Sequence, residues 1–170
     1  MSDDFQTLYR KMCSGLTFAE LERIRLQLRA LDDNDQLLAA LEDELAVEGW
    51  GCLCKLIWVI PEPTPKLYSG FLCKLLDDHR EIEIMEAVAD AMFTLKDEKT
   101  VSSLIGVLNF YLVGDPDYHF NRKIIYALAN IGSAEAVAGI ESALNSPHAI
   151  IRSTARNELE RLGVRRPEEK

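Results

Sequence analysis

The sequence predicts an all-α protein, a right-handed α-solenoid of about four to five stacked helical hairpins. Three observations predict it. Apolar residues recur at helical spacing nearly everywhere, and strand-like alternation with β-branched enrichment is absent. One pattern, a helix stripe, a short turn and a second stripe, recurs 36 residues later. The turns inside it are too short for anything but antiparallel helix neighbours. A lone hairpin leaves its apolar face in water, whereas stacked hairpins bury one continuous core. Residues 1–163 are expected to form a single domain, followed by a disordered tail over 164–170.

Nine helices are expected in order. Thr17-Phe18-Ala19-Glu20 is a capping box, and Phe18, Leu21, Ile24, Leu28 and Leu31 follow on one side of a first helix. Asp32-Asp33-Asn34-Asp35 is a turn and N-cap cluster, after which Leu37, Leu38, Leu41 and Leu45 make a second stripe ending near Gly49. Trp50 to Ile60 reads as a third helix, stopped by Pro61, Pro63 and Pro65. Further helices are expected over 65–78, 81–95 and 99–112, then a turn at Gly114-Asp115-Pro116-Asp117. The last three cover 118–131, 133–145 and 148–162. Ser133 is placed to N-cap the penultimate helix, with Glu135 at its positive dipole end. Gly132 and Gly163 stand just past helix ends, where left-handed backbone favours glycine. By helix position Trp58 and Phe93 read as core, and Trp50 as partly exposed.

The repeat is explicit. Val88, Ala91, Leu95, Val101, Leu104 and Leu108 each lie 36 residues before Ile124, Ala127, Ile131, Val137, Ile140 and Leu144. Leu53, Leu56 and Ile60 precede the first three by 35, and Ala155, Leu159 and Leu162 follow Ile124, Leu128 and Ile131 by 31. The stretch Ala127 to Gly163 resembles HEAT repeats of the short bilin-lyase type. The matching positions are Ala127-Leu128, Ile131-Gly132, Ser133, Ala136-Val137, Leu144 and Ile151-Arg152. The likeness extends more loosely over 81–112. It implies the fold and little about activity, because such repeats serve many functions.

Composition narrows the function. The chain has 170 residues with 19 Lys and Arg against 28 Asp and Glu, a formal net charge of −9. Nucleic-acid binders rely on cations that neutralise phosphates, so the whole-chain field argues against that class and against anionic membrane surfaces. HEAT-like DNA glycosylases, which share this architecture, use a basic groove. Here the second helices carry Glu42, Asp43, Glu44, Asp77, Asp78 and Glu141. The N-terminus lacks a basic segment followed by an apolar one, and no apolar stretch approaches the ~18 residues of a membrane span. A soluble, cytoplasmic protein is expected. Its cysteines, at 13, 52, 54 and 73, are then expected as reduced thiols. Cys52 and Cys54, two apart on a helix, point away from each other and lack the second pair of a zinc motif.

No chemistry-bearing motif stands out. G-x-S-x-G, the P-loop and the dinucleotide fingerprint are all absent. His79, His119 and His148 each open a helix, are far apart, and lack the His-Glu dipeptides of the HEAT-like di-iron hydroxylases. Neither a metal nor another cofactor is expected, and no catalytic residue is assigned. Protein recognition remains. In HEAT-type solenoids the second helices commonly line the concave face, which here would carry Tyr68, Phe71 and Tyr111 with Asn109. Asp77, Asp78, Asp115, Asp117, Tyr118 and His119 complete the expected partner-binding set. Aromatics among acids suit a cationic protein. Small, acidic chains of this kind resemble the immunity proteins of bacterial toxin systems. That resemblance implies an inhibitor of a basic, nuclease-type toxin domain. A general adaptor or a regulatory subunit is the second reading, and a HEAT-like lyase the third.

Overall fold

The computed structural model describes residues 4–78, 82–112 and 118–164. Among these there are ten α-helices, three short 3-10 segments and no strand. The chain forms two compact units, Met1–Tyr68 and Ser69–Lys170. The turn at 114–117 and all but Val164 of the expected tail lie outside the described residues.

The first unit holds α1 (Phe5–Cys13), α2 (Phe18–Leu31), α3 (Asn34–Ala46) and α4 (Trp50–Ile57), then a 3-10 turn at Lys66–Tyr68. Helix α1 is absent from the sequence expectation. Asp4 caps it by accepting from the Thr7 amide at 2.8 Å, and Phe5, Leu8 and Met12 bury one short stripe. Helix α2 starts at the expected capping box: the Thr17 amide donates to Glu20 Oε2 at 3.0 Å, and the Glu20 amide donates to Thr17 Oγ1 at 3.4 Å.

Helix α4 stops at Ile57, three residues before the expected end. The cause lies on α2. The Arg29 guanidinium donates to the carbonyls of Trp58 at 2.9 Å, Val59 at 3.1 Å and Ile60 at 2.8 Å. A cation on the carbonyls of the turn that follows a helix satisfies acceptors that no further helical turn would and opposes the negative dipole end. Trp58 therefore sits on a turn and is 45% exposed, which corrects its assignment to the core. Replacing Arg29 with alanine is expected to cost about 2–3 kcal/mol of stability, because three carbonyls lose a charged donor. Arg29→Lys should recover only part of this, since an ammonium cannot fork across three acceptors. Urea denaturation of both variants checks it.

The second unit holds α5 (Ser69–Asp77), α6 (Ile82–Leu95), α7 (Val101–Tyr111), α8 (His119–Ile131), α9 (Ala134–Ser142) and α10 (Ala149–Arg161). Short 3-10 turns precede α7 and follow α9. Helix α6 packs on α8 and α8 on α10; α5 packs on α7 and α7 on α9. The unit thus has two layers of helices, with Val88, Leu104, Leu108, Ile124, Leu128 and Ile140 buried between them. Asp97, itself buried, joins the layers' connections by accepting from Ser69 Oγ at 2.7 Å and from the Lys99 amide at 3.2 Å. Ser133 caps α9 through the Ala136 amide at 3.2 Å. Gly132 and Gly163 adopt the left-handed φ of +68° and +74°.

Candidate functional site

The first unit gathers acidic charge on α3. Leu37, Ala40, Leu41 and Leu45 face the core, which turns Asp35, Ala39, Glu42 and Asp43 to solvent. The exposed acids Asp32 and Glu48 flank the helix. Ala39 and Ala46 are exposed on the same helix. Among the described residues no Lys or Arg pairs with Asp32, Asp35, Glu42, Asp43 or Glu48. Glu42, Asp43 and Glu44 occupy the C-terminal half of α3, whose last turn has no basic residue. Acids at the negative end of a helix dipole are unfavourable by about 0.3–1 kcal/mol each. Their placement does not serve the helix.

The second unit exposes an aromatic groove on α6 and α8. Ala89, Asp90, Phe93, Lys123 and Tyr126 line about 210 Å³. Lys123 Nζ bridges Asp90 at 2.8 Å and Glu86 at 3.5 Å, so the groove's acids are neutralised locally. Phe93 is 43% exposed, which corrects its assignment to the core.

The residues expected from sequence divide. Tyr68 is fully buried and donates to Asn34 Oδ1 at 2.9 Å, so its ring is core of the first unit and not surface. Phe71 is likewise buried in the second unit. Asp77, Asp78 and His119 are exposed, and Trp50 is half-buried. Tyr111 is half-buried with its ring edge-on to Phe120 at 5.2 Å, and Tyr118 rests against the His148 ring at 4.5 Å. Asp115 and Asp117 lie outside the described residues. The cysteine expectation is also corrected: Cys13 and Cys52 form a disulfide between α1 and α4, whereas Cys54 and Cys73 remain thiols. The missing signal was α1, without which Cys13 had no position.

The displaced titrations are structural in origin. The Asp4 and Glu20 carboxyls are lowered by their capping hydrogen bonds, and Glu22 by its hydrogen bond from Arg25. Burial, then the hydrogen bond to Glu44, pushes the Tyr9 phenol up to about 12. Burial raises Tyr68 as well, with Asp35, Asp32 and Asp33 adding to it. A raised phenol favours the neutral form in the folded state. Its stabilisation is complete below the ordinary value of 10.0 and is lost as pH rises through the folded value. The first unit is thus expected to weaken between about pH 10 and pH 12, with two tyrosines ionising late. Ultraviolet phenolate titration beside circular dichroism checks this.

No described helix is long and apolar enough to cross a membrane. No known family, curated protein or solved structure matches the chain.

Proposed function

We propose that this chain is a non-enzymatic protein-binding module of HEAT-like α-solenoid type, acting in the cytoplasm as an acidic inhibitor of a basic, nuclease-type toxin domain. One observation carries the reading: Glu42 and Asp43 of α3 are exposed, have no Lys or Arg partner among the described residues, and stand at the helix end where they cost stability. Such a face is expected where carboxylates meet cations supplied by a partner. Acidic complementarity accelerates encounter and competes for the cationic groups with which a nuclease holds phosphate. The two helix layers of the second unit suit a stacked-hairpin scaffold, and its 12 Lys and Arg against 16 Asp and Glu give it no basic field for nucleic acid. Membrane surfaces are disfavoured by the same charge.

The test uses the purified chain and a purified basic nuclease domain, taken from a neighbouring reading frame where one encodes it. Glu42→Lys with Asp43→Lys should slow association at least about tenfold, as expected for lost electrostatic steering. The same pair should raise thermal stability slightly, because lysines suit the C-terminal end of α3. Binding lost with stability gained marks a surface built for a partner. Unchanged association, or binding indifferent to about 1 M salt, rejects the reading.

A further inference from the structure

Away from that exposed face, two sulfurs and a carboxylate converge in the first unit. Cys13 closes α1, Cys52 stands in the first turn of α4, and Glu44 lies near the end of α3. Their ligand atoms all lie within 4.8 Å of one another. Cys13 and Cys52 are joined as a disulfide with Cα atoms 5.2 Å apart. Cys13 is exposed and the other two residues are half-buried, so solvent, a thiol or an aqueous ion reaches the cluster.

We propose that the reduced form of this cluster is a zinc site, with Cys13 Sγ, Cys52 Sγ and a Glu44 carboxylate oxygen as protein ligands and water in the fourth position. Zinc binds thiolate at about 2.3 Å and carboxylate at about 2.0–2.2 Å in a tetrahedron, which sets donors roughly 3.5–4 Å apart. Ligand atoms already within 4.8 Å reach that spacing by side-chain rotation.

The carboxylate is held ready. Tyr9 donates its hydroxyl to Glu44 Oε1. Glu44 Oε2 fills the space beside Gly49 that an added Cβ would need. The Gly49 amide donates to the Glu44 carbonyl at 2.8 Å. Among the described residues no Lys or Arg pairs with Glu44. A hydroxyl hydrogen-bonded to a ligating carboxylate is the kind of contact that orients metal ligands. The elements are fixed too: Phe5, Leu8 and Met12 are buried, and Lys55 Nζ donates to the Met12 carbonyl at 3.1 Å.

The chemistry balances with a thiol as reductant. Two external thiols give up two electrons and two protons, the Cys13–Cys52 bond breaks into two thiols, and one external disulfide forms. Zinc then displaces two protons as two zinc–sulfur bonds form. Oxidation of the pair reverses both steps and releases the ion, so zinc occupancy reports thiol redox state.

The probe is Zn²⁺ alone, added in one equivalent to the thiol-reduced, anaerobically desalted full chain and read by native mass spectrometry. One zinc per chain is expected in the reduced protein and none in the oxidised protein. Replacing Zn²⁺ with Co²⁺ should give a thiolate-to-cobalt charge-transfer band. Cys13→Ser and Cys52→Ser should abolish the adduct, while Cys54→Ser and Cys73→Ser leave it intact. Glu44→Gln and Gly49→Ala keep both cysteines and should weaken zinc at least about tenfold. A reduced, helical protein that takes up no zinc overturns the proposal, as does equal uptake by the oxidised form. If the serine variants lose their helical signal, Glu44→Gln decides, and unchanged affinity there rejects the site.

Discussion

Replacing Tyr68 with alanine is expected to lower the stability of the first unit by about 3–5 kcal/mol, the usual cost of deleting a buried ring. Tyr68→Phe should cost only about 1 kcal/mol, the net value of one hydrogen bond. The ring is fully buried on a 3-10 turn, and its hydroxyl reaches back 34 residues to Asn34 Oδ1 at 2.9 Å. That bond ties the chain after the proline-rich segment to the start of α3. Urea denaturation measures both variants. An interface tyrosine would behave oppositely: near-neutral stability in either variant, with a loss only in partner binding. Costs below about 1 kcal/mol for Tyr68→Ala would show that the ring contributes little to the core.

Tyr68 also marks where sequence reading reaches its limit. Apart from α1, helix existence was legible because caps and periodicity agree with packing: Thr17, Ser133, Gly132 and Gly163 all act where their chemistry suggests. Burial of individual rings was harder. Tyr68 follows Pro63 and Pro65, and its 3-10 turn gives no helical face from which to read its direction. Trp58 was misplaced because Arg29, 29 residues earlier, ends α4 early. Phe93 had a readable signal. It shares an exposed stripe with Ile82, Glu86 and Asp90, and two acids on one helical stripe mark the solvent side.

The candidate site was legible in charge and not in place. The excess of acids suggested a cationic partner without saying where it would dock; Asp77, Asp78 and His119 are exposed. Yet counting charges does not say which are neutralised. Glu86 and Asp90 share Lys123, Glu22 holds Arg25, and Glu158 holds Arg161. Among the described residues the acids of α3 have no Lys or Arg partner, and that difference depends on which helices meet. The Cys13–Glu44–Cys52 cluster was hidden for the same reason: its three members are 31 and 8 residues apart and are gathered only when α1 docks beside α4.

Phe120→Ala is the corresponding expectation for the second unit, with a cost of about 3–5 kcal/mol. Phe120 is fully buried in the first turn of α8, the helix that packs against α6, α7, α9 and α10. Its ring receives Tyr111 edge-on at 5.2 Å, and the next residue, Asn121, donates from Nδ2 to the Tyr111 carbonyl at 2.7 Å. Ring and amide together fix the end of α7 against the start of α8. Alanine removes the ring and leaves the amide bond without its apolar cover, so the two contacts weaken together. At about 4–8 °C per kcal/mol for a unit of this size, melting should fall by at least about 12 °C. Phe120→Leu keeps most of the volume and should cost no more than about 1.5 kcal/mol. Calorimetry distinguishes the pair, and hydrogen exchange should show faster opening at Ile124 and Ile125 in the alanine variant. If alanine and leucine cost the same, shape at this position is irrelevant and the α7–α8 junction is held by the Asn121 hydrogen bond instead.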